Sequence, residues 1–421
     1  MGRVFFQSAN LLDGKQASRP HMTVVVEGDR IVAVAQDQEA PTPSSADEVY
    51  DLGGRSLMPG MVLSHCHLAY TNICAMSDVD LKHPGPYLAI VAARNAELLL
   101  KSGYTSAVGA GAMHNIDVVL KQAIDEGTIQ GPRILACGRD IVATGDSVDC
   151  HPSWWKIGLE GLAHICDGPD EFRKAVRTEI KEGVEIIKLF VTGGHGVTLP
   201  ADAMMMNQAE LDAAVQAAHD RGAKARGHVV SKRGIVASLE AGLDVIDHAD
   251  MMDQQCIERM IKQGTFVAPS LYFPYLLVKQ TEGGATFPGS DAIKRALEYS
   301  YRILPVAHAA GVKLLVGDDF GASIAPHGDY AKELEVYVSG AGIPALDVLG
   351  WATRNGAELM GRKDELGTIT VGKLADLLVI NGDPSRDITL LQDRANLHVV
   401  MKGGEFAVKA LAASKPDQLL R

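Results

Sequence analysis

Residues 184–191 read VEIIKLFV, a short apolar run that follows a helical pattern at residues 169–182, PDEFRKAVRTEIKE. Acidic residues open that pattern and Gly183 follows its end, which is typical of a complete helix. A strand that is joined by a helix to the next strand is the repeating unit of a parallel sheet. Further units on both sides of residues 184–191 would therefore define an α/β fold.

Seven other apolar runs of strand length occur in the middle of the chain, with helical patterns between most of them. A second helix is predicted over residues 207–221, where Asn207 and Glu210 form a start that resembles a capping box. Eight strands that alternate with helices predict a (β/α)8 TIM-like barrel, and an open doubly wound sheet is the alternative. The seven runs are residues 60–65, 104–110, 132–138, 223–230, 244–250, 265–271 and 313–319.

The two ends of the chain resemble each other and differ from the middle. Near the N-terminus, MTVVVEGDRIVAVAQ predicts two strands joined by a tight turn. Near the C-terminus, ADLLVING and HVVMKGGEFAVKA predict a second set of strands. We therefore predict a small β-sandwich domain built from both termini, residues 1–57 plus 365–421, and a barrel domain of residues 58–364.

The composition excludes several classes of protein. The chain has 421 residues, of which 47% are hydrophobic and 22% charged, as in a globular protein with a large core. A net charge of −12 argues against a nucleic-acid or membrane-surface partner. We expect neither a signal peptide nor a transmembrane helix, because no apolar run is long enough. The 6 cysteines lack CxxC spacing, so reduced thiols and a cytoplasmic location are expected.

Residues that can bind metals lie at the ends of several predicted strands. His65 and His67 end the first run, and strand alternation places both rings on one face and Cys66 on the other. Lys188 lies within an apolar run, where a lysine is costly unless it is paired or chemically altered. Addition of CO2 would convert its amine into a carbamate that can bridge two metal ions.

Three other predicted strand ends complete this group. His228 ends the fifth run, His248 ends the sixth, and Asp318 with Asp319 ends the eighth. The carboxyl ends of barrel strands meet on one face, where the active sites of barrel enzymes lie. The sequence therefore predicts a metal site on that face.

This pattern resembles the amidohydrolase superfamily. GGRSLMPGMVLSHCH at residues 53–67 is similar to the family's PGxIDxHxH motif, and LGTITVGKLADLLVINGDP at residues 366–384 is similar to its closing segment. IIKLFVTGGHG and VGDDFGASIAPHGDYAKELEVYV resemble the branch that contains imidazolonepropionase-like, Xaa-Pro dipeptidase-like and ochratoxin-type amidase enzymes. The resemblance covers nearly the whole chain.

The resemblance implies two divalent metal ions per chain, with zinc favoured and cobalt, manganese or iron compatible. Asp319 is preferred to Asp318 as the ligand because GDD aligns with the family's GTD. The implied ligands are His65, His67 and Asp319 for one ion, His228 and His248 for the other, and carboxylated Lys188 between them.

The implied reaction is hydrolysis of an amide C–N bond by a hydroxide held between the ions. Asp319 would move a proton from water to the leaving nitrogen. The substrate would be a dipeptide, an N-acyl amino acid, or an aryl amide, carbamate or urea.

The sequence gives less support for particular substrate contacts than for the metal ligands. Val230 stands where dipeptidase-like relatives often carry tyrosine, which suits a less polar substrate. Arg226 is expected to point away from the metals by alternation with His228. The other candidates are His195 beyond strand four, Tyr272 after strand seven, His327 in the PHG motif, and Trp154 and Trp155 in a long loop where they could instead pack the loop itself.

Three alternative functions remain open from the sequence. The same metal pair could hydrolyse an ester, lactone or phosphotriester. A mononuclear deaminase would have no need of Lys188, and a catalytically silent binding protein would be expected to have lost ligands. By analogy with the family we expect a homo-oligomer that acts on a small molecule.

Overall fold

The computed structural model describes residues 2–152, 154, 161–195, 197, 199–286 and 289–413. Its strands are β1 (Val4–Leu11), β2 (Arg19–Glu27), β3 (Arg30–Gln36), β4 (Glu48–Asp51), β5 (Ser56–Pro59), β6 (Met61–Cys66), β7 (Tyr104–Gly109), β8 (Arg133–Leu135), β9 (Asp140–Val142), β10 (Ala163–Ile165), β11 (Ile186–Phe190), β12 (Lys224–Val229), β13 (Val245–His248), β14 (Phe266–Ala268), β15 (Lys313–Leu314), β16 (Leu377–Ile380), β17 (Leu397–Lys402) and β18 (Glu405–Lys409).

The helices lie mainly between the strands of the central region. They are α1 (Asp78–Leu81), α2 (Gly85–Lys101), α3 (Ile116–Asp125), α4 (Pro169–Glu182), α5 (Gln208–His219), α6 (Lys232–Ala241), α7 (Gln254–Gln263), α8 (Tyr272–Glu282), α9 (Ser290–Ala310), α10 (Lys332–Glu335), α11 (Ala345–Gly350) and α12 (Gly356–Leu359). Short 3-10 turns cover Met113–Asn115, Ile388–Gln392 and Arg394–Asn396, and π-helical turns cover Val336–Gly340 and Trp351–Asn355.

Strands from both ends of the chain form one eight-stranded sheet in the order β18-β17-β16-β5-β1-β2-β3, with β4 paired to β1. The two ends meet where β5 runs antiparallel to β16, with Leu57 opposite Val379. Buried side chains from both ends, among them Phe6, Tyr50 and Met401, share one apolar cluster. The sheet therefore depends on both termini, while the sandwich layering and the domain limits stay predictions.

The central region contains two sheets of parallel strands. One has the order β6-β7-β8, and the other has the order β10-β9-β11-β12-β13-β14-β15. Each of the eight predicted runs overlaps a strand, whereas β9 and β10 were not predicted. The Ser64 amide donates to the Val316 carbonyl over 2.7 Å, which links β6 to the segment that follows β15. The α/β class is thus confirmed.

Local sequence signals set the helix limits. Helix α4 begins at Pro169 and ends at Glu182, as predicted, because Gly183 takes the left-handed conformation with φ 108°. Helix α5 begins after Asn207, whose side chain accepts from the Glu210 amide while the Glu210 carboxylate accepts from the Asn207 amide. This is the predicted capping box.

All 6 cysteines are free thiols, as expected. Within the described ranges, the structure contains no helix that is both long and apolar enough to cross a membrane.

Candidate metal centre

His65 and His67 form the base of the site at the end of β6. The Nε2 atom of His65 lies 3.1 Å from His67 Nε2 and 3.1 Å from Asp319 Oδ1. The other nitrogen of His67, Nδ1, is 2.9 Å from the Gly111 carbonyl oxygen, which orients its Nε2 toward Asp319. The three ligand atoms lie within 4.8 Å of one another, an arrangement that suits one divalent ion. Cys66 faces away, toward Ile116 and Leu120, as predicted.

The two neighbouring aspartates have different surroundings. Burial opposes ionisation of Asp319, but His65 and His67 outweigh burial and hold the pKa of its carboxyl well below the usual value. The Asp318 carboxylate turns away and accepts hydrogen bonds from the Tyr272 amide and the Asp319 amide, both over 2.7 Å. Burial raises the pKa of Asp318 to about 6. The structure therefore places Asp319, and not Asp318, beside the histidines.

His228 and His248 face the same cavity from β12 and β13, with ring centroids 4.5 Å apart. His228 Nε2 is buried and has no hydrogen-bond partner among the residues the structure describes. Burial lowers the pKa of both rings well below its usual value, so both are neutral and can bind a metal. A buried imidazole nitrogen without a hydrogen-bond partner fits an ion as its partner.

His195 lies closer to this second group than the sequence suggested. Its ring stacks on His248 with centroids 3.7 Å apart, and His195, His248 and Asp319 hold ligand atoms within 4.8 Å of one another. Its Nδ1 lies 3.1 Å from Asp250 Oδ1, and its Nε2 lies 3.1 Å from the Ser270 carbonyl oxygen. Burial opposes protonation of the ring, but Asp250 outweighs burial and raises the pKa of His195 to about 9.

Lys188 belongs to a buried charge network beneath the histidines. Its Nζ donates to Asp247 Oδ2 over 2.7 Å, and Arg226 Nε donates to the same oxygen over 3.1 Å. Arg226 also donates to the carbonyl oxygens of Ser64 and Gly109, over 2.9 and 2.7 Å. The network orients His65 as well, since the Nδ1 atom of His65 lies 3.3 Å from Asp247 Oδ1.

The prediction that Arg226 points away from the metals is wrong. Residues two apart on a strand share a face, so Arg226 and His228 both point inward, and Arg226 Nη2 lies 3.3 Å from His65 Nδ1. The sequence did not predict Asp247 as part of the site, because strand alternation places Asp247 and His248 on opposite faces. His248 instead takes a left-handed conformation with φ 76°, which ends the alternation, so His248 faces inward together with Asp247.

Replacing Arg226 with methionine is expected to lower the free energy of unfolding by about 3–5 kcal/mol, because Asp247 would lose its principal buried partner. Urea denaturation followed by circular dichroism measures this change. Arg173→Met is the matched control, since the ion pair of Arg173 with Asp170 lies at the surface. The control should cost less than about 1 kcal/mol, and equal effects in the two variants would contradict the structural role.

The predicted metal ligands line a cavity of about 470 Å³. His65, His67, Lys188, His228, His248 and Asp319 all contribute to its lining. Above them, side chains from residues 73–76, from helix α8 and from residues 322–324 form the walls. Its volume is within the range for small-molecule sites, about 300–1,000 Å³.

Asp140 is a further lining residue that the sequence analysis missed. Strand β9 pairs with β11 so that Asp140 lies opposite Lys188, and its Oδ1 has no hydrogen-bond partner in the described part of the chain. Burial raises the pKa of its carboxyl well above the usual value. Strand β9 has only three residues, which is too short for an alternating pattern to reveal it.

The predicted substrate contacts are only partly brought together. His195 lines the cavity, but Val230, Tyr272, His327 and Trp154 do not, and Trp155 lies outside the described residues. The Tyr272 hydroxyl donates to Asp329 Oδ2 over 3.2 Å. The next residue, Phe273, lines the cavity.

The remaining three candidates have other surroundings. The Val230 side chain is buried, and its amide donates to Thr192 Oγ1. His327 Nε2 lies 3.1 Å from the Tyr70 carbonyl oxygen. Trp154 is 76% exposed.

Four histidines, a lysine and an aspartate thus line one cavity, and their side chains are of types that could hold metal ions. The sequence pattern of the amidohydrolase family matches residues 56–407, and the chain therefore belongs to the amidohydrolase family. It is an enzyme, a hydrolase of the class that acts on C–N bonds.

Similar proteins include an ochratoxinase, a Xaa-Pro dipeptidase and a prolidase. The ochratoxinase of Aspergillus niger is 29% identical over 379 residues, which cover 83% of this chain and 75% of that protein. A Xaa-Pro dipeptidase with methionine bound in its active site has a TM-score of 0.86 and 28% identity, over 98% of this chain and 100% of the other. A prolidase complexed with N-methylphosphonate-L-proline also has a TM-score of 0.86 and 28% identity, over 97% of this chain and 100% of the other.

Proposed function

We propose that this protein is a binuclear metal-dependent hydrolase that cleaves the C–N bond of an amide or a related carbamate or urea. One observation carries the proposal: His65, His67 and Asp319 hold ligand atoms within 4.8 Å of one another in a cavity that His228, His248 and Lys188 also line. Similarity to an ochratoxinase and to a Xaa-Pro dipeptidase supports the choice of an amide.

We also infer that the two parallel sheets are parts of one closed (β/α)8 barrel.

The chain offers a complete set of ligands for two ions. His65, His67 and Asp319 would hold one ion, and His228 with His248 would hold the other. The Lys188 amine would add to CO2, forming an N–C bond and releasing one proton, and the resulting carbamate would bridge the ions. When bound, two divalent ions make hydroxide available near neutral pH and polarise a carbonyl oxygen. Imidazole and carboxylate ligands suit zinc, and cobalt, manganese or iron are compatible.

Asp319 would carry the proton. Its side chain is 28% exposed, whereas Asp247 and Asp318 are fully buried and hydrogen-bonded. In the reaction, water oxygen bonds to the carbonyl carbon and the C–N bond breaks. Asp319 accepts a proton from water and passes it to the leaving nitrogen, so that atoms and charges balance.

The metal requirement is the direct test of this function. Protein purified without chelator and in the presence of bicarbonate should contain about two equivalents of metal per chain. A chelator should abolish amidase activity, and zinc, cobalt or manganese should restore it. His65→Ala should lose metal, whereas His219→Ala should retain it, because His219 pairs with Asp244 at the surface.

Other outcomes would contradict the proposal. One equivalent of metal would contradict the bridged pair and favour a deaminase. Turnover of lactones or phosphotriesters, with no turnover of amides, would favour the alternative hydrolase.

A further inference from the structure

The walls of the cavity are largely apolar, in contrast to its charged base. Residues 73–76 and 322–324 form one wall, joined by hydrogen bonds from the Ile73 amide to the Gly321 carbonyl and from the Ser323 amide to the Ile73 carbonyl. Phe273 and Leu277 of α8 form a second wall. A substrate that fills the site therefore contacts hydrocarbon on more than one side of the metal ligands.

The basic groups of the cavity already have partners or proposed roles as metal ligands. Among the described residues that line it, the basic side chains are Lys188 and the histidines. Lys188 donates to Asp247, and both nitrogens of His195 contact oxygen atoms of Asp250 and Ser270. The other histidines are the proposed metal ligands. Within the described chain, the cavity therefore offers no lysine or arginine side chain that is free to pair with a substrate carboxylate.

Arg226 cannot supply the missing cation. It is completely buried beneath the site, and its donors are directed at Asp247 and at the carbonyl oxygens of Ser64 and Gly109. Asp140 and Asp319 add carboxylates to the lining. Among the described residues, a substrate carboxylate in this cavity would thus lose its water without gaining a lysine or arginine partner, which is unfavourable.

We propose that the substrate is an uncharged amide, carbamate or urea with apolar groups on both sides of the scissile bond, and not a dipeptide or an N-acyl amino acid. This inference rests on the proposed function and narrows its substrate class. The geometry that supports it is a pair of apolar walls above a floor on which Lys188 and His195 already bind protein oxygens and the other histidines are proposed metal ligands.

Matched substrate pairs test the proposal on metal-loaded enzyme. N-benzoyl-phenethylamine and N-benzoyl-L-phenylalanine differ only in the carboxylate, and acetyl and phenoxyacetyl versions extend the series. The uncharged member of each pair should have a kcat/KM about a hundredfold higher, since a buried ionic group without a partner is rejected strongly. Equal or faster hydrolysis of the acids would overturn the substrate class and leave the amidase function standing. Hydrolysis of no pair by enzyme with two bound metals would overturn the proposed function itself.

A single substitution can supply the missing cation. Gln280 lies on α8 and contributes to the lining of the cavity. Gln280→Arg should raise the ratio of kcat/KM for the acid to that for the uncharged substrate by at least about tenfold. Gln280→Met is the matched control, because it is uncharged and similar in length, and it should give no gain with the acid. An equal gain in both variants would show that charge does not set the preference.

Discussion

Replacing Lys188 with alanine is expected to remove bound metal and to lower kcat/KM by about a thousandfold or more. The side chain is 2% exposed and lies within the cavity, where its carbamate would be a ligand shared by both ions. Metal content and steady-state kinetics measure the two effects. Lys313→Ala is the control, because Lys313 pairs with Glu358 away from the cavity, and it should retain full metal content.

Short carboxylic acids test whether the lost group is a bridging carboxylate. Acetate or propionate can occupy the space left by the lysine side chain and supply a bridging carboxylate, so either acid should restore part of the metal content and activity of Lys188→Ala. The acids should have no such effect on His65→Ala, which lacks a different ligand. Undiminished activity in Lys188→Ala would contradict the binuclear site.

Asp319→Asn should lower turnover far more than Asp318→Asn, by about 10³-fold against about tenfold or less. An amide in place of the Asp319 carboxylate can neither accept the proton nor supply negative charge to the metal. Asp318 instead holds the amides of Tyr272 and Asp319, so its replacement should mainly reduce stability, by about 1–3 kcal/mol. Kinetics and urea denaturation of both variants separate these effects. The reverse ranking would assign the proton transfer to Asp318.

Most strands of the central region and the histidine positions could be predicted because both depend on local sequence. Each of the eight predicted runs overlaps a strand of the central region, and the histidine ligands sit near the ends of those runs, whereas β9 and β10 were not predicted. His65 and His67 needed only the two-residue period of a strand to be placed on one face. Asp319 was placed by its alignment with the family's GTD motif, and the structure puts it beside both histidines.

The surroundings of the ligands could not be predicted in the same way. Asp247 and His248 both face the site because His248 takes a left-handed conformation that ends the strand alternation, and nothing in DVIDHAD indicates that departure. Phe273 faces the cavity where Tyr272 was expected, because α8 begins at Tyr272 and successive residues on a helix point in different directions. Such features depend on contacts between segments that are distant in sequence. The homo-oligomer and the cytoplasmic location stay predictions.

The sheet shared by the two ends of the chain has a consequence for biosynthesis. Strand β5 ends at Pro59, and its neighbour β16 starts at Leu377. At about 5–20 residues per second, a ribosome needs on the order of tens of seconds to add the intervening segment. During that time the nascent N-terminal strands have an unpaired edge, which is a site for aggregation. Yield in a host cell should therefore respond to translation speed and to chaperones that shield an emerging chain.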